Sequence, residues 1–95
     1  GNMEIKLKGG KSFKVKSISI DERDSLLDGV DYNYNEDGSV QQVKMMHSTM
    51  TKWIRTCLDG NIDDEFLGKL SLEDRTQIFT ELQNKFFLGE GKASK

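Results

Sequence analysis

From Met3 to Lys8, Ile5 and Leu7 alternate with Glu4, Lys6 and Lys8, the period of a strand with one buried face. Gly9-Gly10 is a turn signal, and beyond it Phe13 and Val15 alternate with Lys14 and Lys16. The two runs predict a β-hairpin with a lysine-rich outer face. A hairpin alone is marginal in water, so its apolar face needs something packed against it. After Lys16 the apolar phase shifts to Ile18 and Ile20, which marks a bend, a bulge or the strand's end.

Ser19 is followed three residues later by Glu22, the spacing of a capping box, and Asp21 and Glu22 suit the positive end of a helix dipole. A short helix is predicted from Ile20 to about Asp28, with Leu26 and Leu27 inward and Gly29 as its stop. Asp31 to Ser39 reads as a loop or small hairpin tip turning at Asp37-Gly38, and the alternation of Tyr32 and Tyr34 with Asn33 and Asn35 allows a short strand. The clearest helical period runs from about Gln42 to Leu58. There Val43, Met46, Met50, Trp53, Ile54, Cys57 and Leu58 form one apolar stripe, ended by Gly60.

Asn61 is expected to cap a short helical turn from Ile62 to Lys69, with Ile62, Phe66 and Leu70 inward. Ser71-Leu72-Glu73-Asp74 gives another cap signal. The last helix should run to about Leu88, with Leu72, Ile78, Phe79, Leu82 and Phe86 on one side and Gly89 as its stop. Residues 90–95 read as a mobile tail. The fold class expected is α+β: an N-terminal β-hairpin followed by a bundle of three to four α-helices, one domain over residues 3–89, with Trp53 near the core.

Composition agrees with a small folded domain. The chain has 95 residues, 35% apolar and 32% charged, and the apolar ones are patterned rather than dispersed. The net charge of -2 lacks the basic excess usual for nucleic-acid binders. Charge is nevertheless uneven. Lys6, Lys8, Lys11, Lys14 and Lys16 face Glu4 alone in the first sixteen residues, and the segment from Asp21 to Asp37 is acidic. One cysteine, Cys57, rules out an intrachain disulfide and fits a reducing, cytoplasmic setting. No apolar run approaches the roughly 18–20 residues of a membrane span. Gly1-Asn2 ahead of Met3 reads as an expression scar.

Candidate chemistry is sparse. Asn33 to Gly38 imitates the start of a calcium loop, but its twelfth position is Lys44, whose ammonium cannot coordinate a cation. His47 has no partner at metal or triad spacing. Cys57 belongs to the apolar stripe, where a free cysteine acts as a small core residue. Asp21-Glu22, Asp63-Asp64-Glu65 and Glu73-Asp74 fall in predicted first turns, where capping accounts for them. Lys8-Gly9-Gly10-Lys11-Ser12 lacks the spacing of a phosphate loop. No catalytic, metal or cofactor site is therefore expected, and the chain does not read as an enzyme. Two features favour protein binding. Phe86-Phe87-Leu88 is a run that a single helix face cannot bury, and Met45, Met46 and Met50 offer adaptable contact area. Met45, Met50, Phe86, Phe87 and Leu88 are the candidate partner-binding residues, with completion of a small core as the alternative role.

The whole pattern resembles the small tail assembly chaperones of long-tailed bacteriophages. The resemblance rests on the lysine-rich hairpin from Met3 to Ser19 leading into Ser19 to Asp24, and on the central helix carrying Trp53-Ile54. It extends through the segment Asp63 to Leu67 and the closing Leu70 to Arg75. It implies a non-catalytic protein that coats the tape-measure protein before the tail tube polymerises, leaves the finished particle, and acts in the bacterial host cytoplasm. It also implies self-association in some members. The competing readings are a small regulatory or nucleic-acid-binding protein using the lysine-rich hairpin, or a structural virion component.

Overall fold

The computed structural model of the chain describes residues 3–44 and 46–88, with residues 42–44 and 87–88 described by their backbone alone. It is an α+β fold in which two hairpins lie in sequence before and among the helices. Strand β1 (Met3–Lys6) pairs antiparallel with β2 (Ser12–Val15), with Met3 opposite Val15 and Ile5 opposite Phe13. The turn between them closes with Leu7 N–H donating to Lys11 C=O at 2.8 Å and Gly10 N–H donating to Leu7 C=O at 3.0 Å. Gly10 has φ of +95°, a conformation that disfavours any residue with a Cβ. Ile5, Leu7 and Val15 are buried, and Lys6, Lys14 and Lys16 are exposed, as the alternation requires.

This hairpin is not left alone in water. Lys16 N–H donates to Cys57 C=O, and Asp59 N–H donates to Lys14 C=O, each at 2.9 Å. Val15 thereby bridges Leu58, just past the central helix. The free edge of β2 is spent on the body of the protein, so the backbone groups there are paired rather than exposed.

Helix α1 (Ile20–Asp28) starts with the capping box in place: Glu22 N–H donates to Ser19 Oγ at 3.1 Å and Ser19 N–H to Glu22 Oε1 at 3.0 Å. Gly29 follows in a right-handed conformation, φ −85°, so the helix ends without the left-handed turn that glycine permits. Leu26 is buried and Leu27 half-buried.

The following segment bears out the hairpin tip at Asp37-Gly38 and the short strand at Tyr32 and Tyr34, and corrects the start of the central helix. Strands β3 (Asp31–Tyr34) and β4 (Val40–Lys44) form a second antiparallel hairpin, with Tyr34 opposite Val40, Tyr32 opposite Val43, and an irregular register between Asn33 and Tyr34. Val43, expected in the central helix, stands in β4. Its spacing to Met46 and Met50 suits a helix, but pairing with β3 satisfies the backbone of 40–44 in another way. The turn is built by Asp37, whose Oδ1 accepts from Ser39 N–H at 2.9 Å and from Ser39 Oγ at 2.6 Å. Those two bonds, the hydroxyl's first, hold the Asp37 carboxyl below its usual pKa range. Gly38 has φ of +89°. The calcium-like spacing at Asn33–Gly38 is therefore a strand end and a tight polar turn.

Helix α2 spans His47–Cys57, five residues later at its start than expected. Met46 is its N-cap without a side-chain bond. Arg75 supplies a tie instead, its guanidinium donating to His47 C=O at 3.1 Å and to the Thr51 hydroxyl. Met50, Trp53, Ile54 and Cys57 are buried along one side. Helix α3 is short, Asp64–Gly68, and its cap is Asp63 rather than Asn61. Asp63 Oδ1 accepts from Phe66 N–H at 2.9 Å, and the Asn61 amide donates to Asp63 Oδ2 at 3.2 Å. Its buried residue is Leu67, with Ile62, Phe66 and Leu70 packed at the edge.

Helix α4 (Leu72–Gln83) opens on a capping box formed by Ser71 and Asp74. Ser71→Ala should cost about 1 kcal/mol, read as a lower denaturation midpoint. An unchanged midpoint would show that the cap is not holding the helix start. Ile78, Phe79 and Leu82 are buried, while Leu72, expected inward, is 54% exposed. It sits at the first helical position, about 10 Å along the axis from Phe79, where the apolar stripe runs past the core. The chain continues from Asn84 to Leu88 as a π turn rather than an α-helix. Gly89 and the tail at 90–95 lie outside the described residues.

Candidate protein-binding surface

The centre of the body is closed. Trp53 is fully buried, meeting Phe79 edge-on with ring centroids 5.2 Å apart and Phe86 at 6.1 Å. Phe13 and Phe66 form a second edge-on pair at 5.7 Å, joining β2 to α3. Met50, a candidate contact for a partner, is 2% exposed and belongs to this core, where its sulfur faces Thr76 Oγ1 at 3.8 Å. Its place on the inner stripe of α2 removes it from the outer surface. Phe86 is half-buried against the core and keeps one side at the rim. Met45 and the side chains of Phe87 and Leu88 lie outside the described residues.

Cys57 is buried and its thiol is pushed up to about 12, chiefly by desolvation, with Lys16 lowering it and Glu22 raising it. Only the thiolate is nucleophilic, and it forms only well above neutral pH here. An iodoacetamide-treated native sample should therefore keep an unmodified Cys57 by mass spectrometry at about pH 8, whereas an unfolded sample, with an ordinary thiol near 8.5, should alkylate. Rapid alkylation of the native sample would contradict this burial. His47 is exposed at the first turn of α2 and contributes its carbonyl, not its ring, to Arg75. The carboxylate clusters stand at the starts of α1, α3 and α4, as capping requires. Among the described residues no group of three or more His, Cys, Asp and Glu is placed to hold a metal, and no helix is long and apolar enough to cross a membrane.

Among the described residues, the large apolar side chains left exposed are Ile20, Tyr34, Val40, Met46 and Leu72. Two of them form a pair. Tyr34 and Val40 face each other across the second hairpin, and the Tyr34 ring is 6.3 Å from that of Tyr32. Tyr32 is half-buried, and the Gln83 amide at the end of α4 donates to its hydroxyl at 3.5 Å. Burial raises the Tyr32 phenol above its ordinary pKa, against the Gln83 bond, which lowers it. One face of the hairpin thus begins against α4 at Tyr32 and continues into solvent at Tyr34 and Val40. Composition gave no sign of this strip; the alternation Tyr32-Asn33-Tyr34-Asn35 was its one local signal. Leu72 lines a separate shallow groove with Lys8, Glu73, Thr76 and Gln77.

Comparison with family models, with curated proteins and with solved structures finds no match.

Proposed function

We propose that the protein is a non-catalytic chaperone of phage tail assembly, which holds the tape-measure protein in the host cytoplasm until the tail tube polymerises. The observation that carries the reading is the strip of Tyr34 and Val40, exposed beside a core already completed by Trp53, Phe79 and Leu82. Such apolar area, outside a filled core, suits reversible contact with the apolar face of a helical partner. The resemblance in the lysine-rich hairpin, the Trp53-Ile54 helix and the closing helix supports the same reading. The buried Cys57 and the capping use of the carboxylates are in keeping with that reading. Nucleic-acid binding through the lysine-rich hairpin has less support, since the chain's net charge of -2 lacks the basic excess that phosphate binding draws on.

Co-expression with a tape-measure protein tests the proposal. The long protein should stay soluble in the presence of this chain and precipitate without it. Tyr34→Asp should reduce that solubilisation while leaving the melting midpoint of the chaperone nearly unchanged, since Tyr34 is exposed. A tape-measure protein that precipitates equally with and without the chain would contradict the proposal.

A further inference from the structure

Among the described residues, the first hairpin turns a lysine-bearing face away from the core. Lys6, Lys14 and Lys16 are exposed on it, with Glu4 and Ser12 in register beside Lys14 and Lys6. Successive same-face positions of a strand lie about 7 Å apart, so Lys6 and Lys16 stand near the two ends of a patch roughly 13 Å long. Lys11 lies off this face and is paired with Asp74.

Helix α1 carries the opposite pattern. Asp21, Asp24 and Asp28 are exposed, and at 100° per residue they fall with Ile20 within about one quarter of the helix circumference. Asp21 to Asp28 spans about 10 Å along the axis, close to the length of the lysine patch. Asp24 meets Arg23 at 3.4 Å, an exposed neighbour contact of the weak kind, which leaves the stripe acidic. Ile20 is 67% exposed at its edge, an apolar residue that the fold leaves in water. From Asp21 to Asp37 the sequence holds seven carboxylates against Arg23, while residues 3–16 hold five lysines against Glu4.

We infer that the outer face of the first hairpin docks the acidic α1 stripe of a second copy of this chain. The two surfaces match in sign and length, and every copy carries both. Identical chains can therefore satisfy them mutually, closing a ring or dimer where the rotation permits. The methylene stems of Lys6 and Lys16 offer cover for Ile20 while their ammonium groups reach the aspartates. Attraction between exposed charges is screened within about 10 Å at 0.1 M salt and about 3 Å at 1 M, so the association is salt-labile by construction. This inference does not depend on the chaperone reading.

Sedimentation velocity of the full chain, free of nucleic acid, tests it at about 20 mM and about 500 mM salt. Association at low salt should weaken at least about tenfold at high salt. The double variant Lys6→Glu/Lys16→Glu should sediment as a monomer at low salt, and so should Asp24→Lys/Asp28→Lys. An equimolar mixture of the two should associate again, because each supplies the face that the other has reversed. Lys6→Gln/Lys16→Gln, which adds no like charge beside Glu4, should weaken association with an unchanged melting midpoint, and so separates docking from hairpin stability. A wild-type chain that is monomeric at low salt, association that ignores salt, or reversed variants that fold but fail to recombine would each overturn the inference.

Discussion

Trp53→Ala should lower the unfolding free energy by about 3–5 kcal/mol, the range for truncating a buried aromatic side chain. Trp53 is fully buried between Phe79 and Phe86, with Ile54 and Cys57 on the same helix closing the surrounding space. Removing the indole leaves a cavity that the short elements around it cannot readily fill, since β1 and β2 are tied to the end of α2 by the bonds at Lys14 and Lys16. Among the described residues the indole Nε1 is buried without a hydrogen-bond partner, and such a group offsets part of what ring burial contributes. Trp53→Phe should therefore cost clearly less than Trp53→Ala. Chemical denaturation gives both values; equal losses would show that ring volume is not what holds the site together.

Phe79→Ala should cost a similar amount, again about 3–5 kcal/mol. Phe79 is the counterpart of Trp53 on α4, and their edge-on contact at 5.2 Å joins the two longest helices. Because each residue lines the cavity left by the other, the double variant should lose less than the sum of the singles, with a coupling of roughly 0.5–3 kcal/mol. Strict additivity would place the two rings in separate packing environments and contradict this geometry.

Local chemistry made much of this fold readable. Period-two alternation around Gly9-Gly10 foretold the first hairpin, and the capping boxes at Ser19 and Ser71 located two helix starts to the residue. Where two local solutions competed, the sequence was less decisive. Val43, Met46 and Met50 have helical spacing, but Val40 and Val43 also suit a strand, and the turn at Asp37-Gly38 brings that strand to Asp31–Tyr34. At the third helix, Asn61 and Asp63 are both good caps, and which one acts depends on where the chain emerges from Gly60, at φ of +105°.

The surface was harder to read, because exposure is decided by what packs nearby in space. Met50 and Leu72 lie on stripes of the same kind, yet Met50 faces α4 and Leu72 overhangs its end. Arg75 reads as an ordinary charged helix residue, and its tie to the first turn of α2 crosses 28 positions of sequence. The π turn at Asn84–Leu88 replaces the α-helix expected there, while Phe86 still packs against the core as its spacing from Leu82 suggests. The exposed pair of Tyr34 and Val40 likewise emerges only once the second hairpin forms.

A pull-down of the tagged chain from phage-producing cells, read by mass spectrometry together with the protein content of purified particles, decides whether the chain is a tail-assembly chaperone. A chaperone enriches a very long, helix-rich tail protein in the pull-down and is absent from the finished particles. Retention of the chain in the particles, or a pull-down without such a tail protein, would contradict that role.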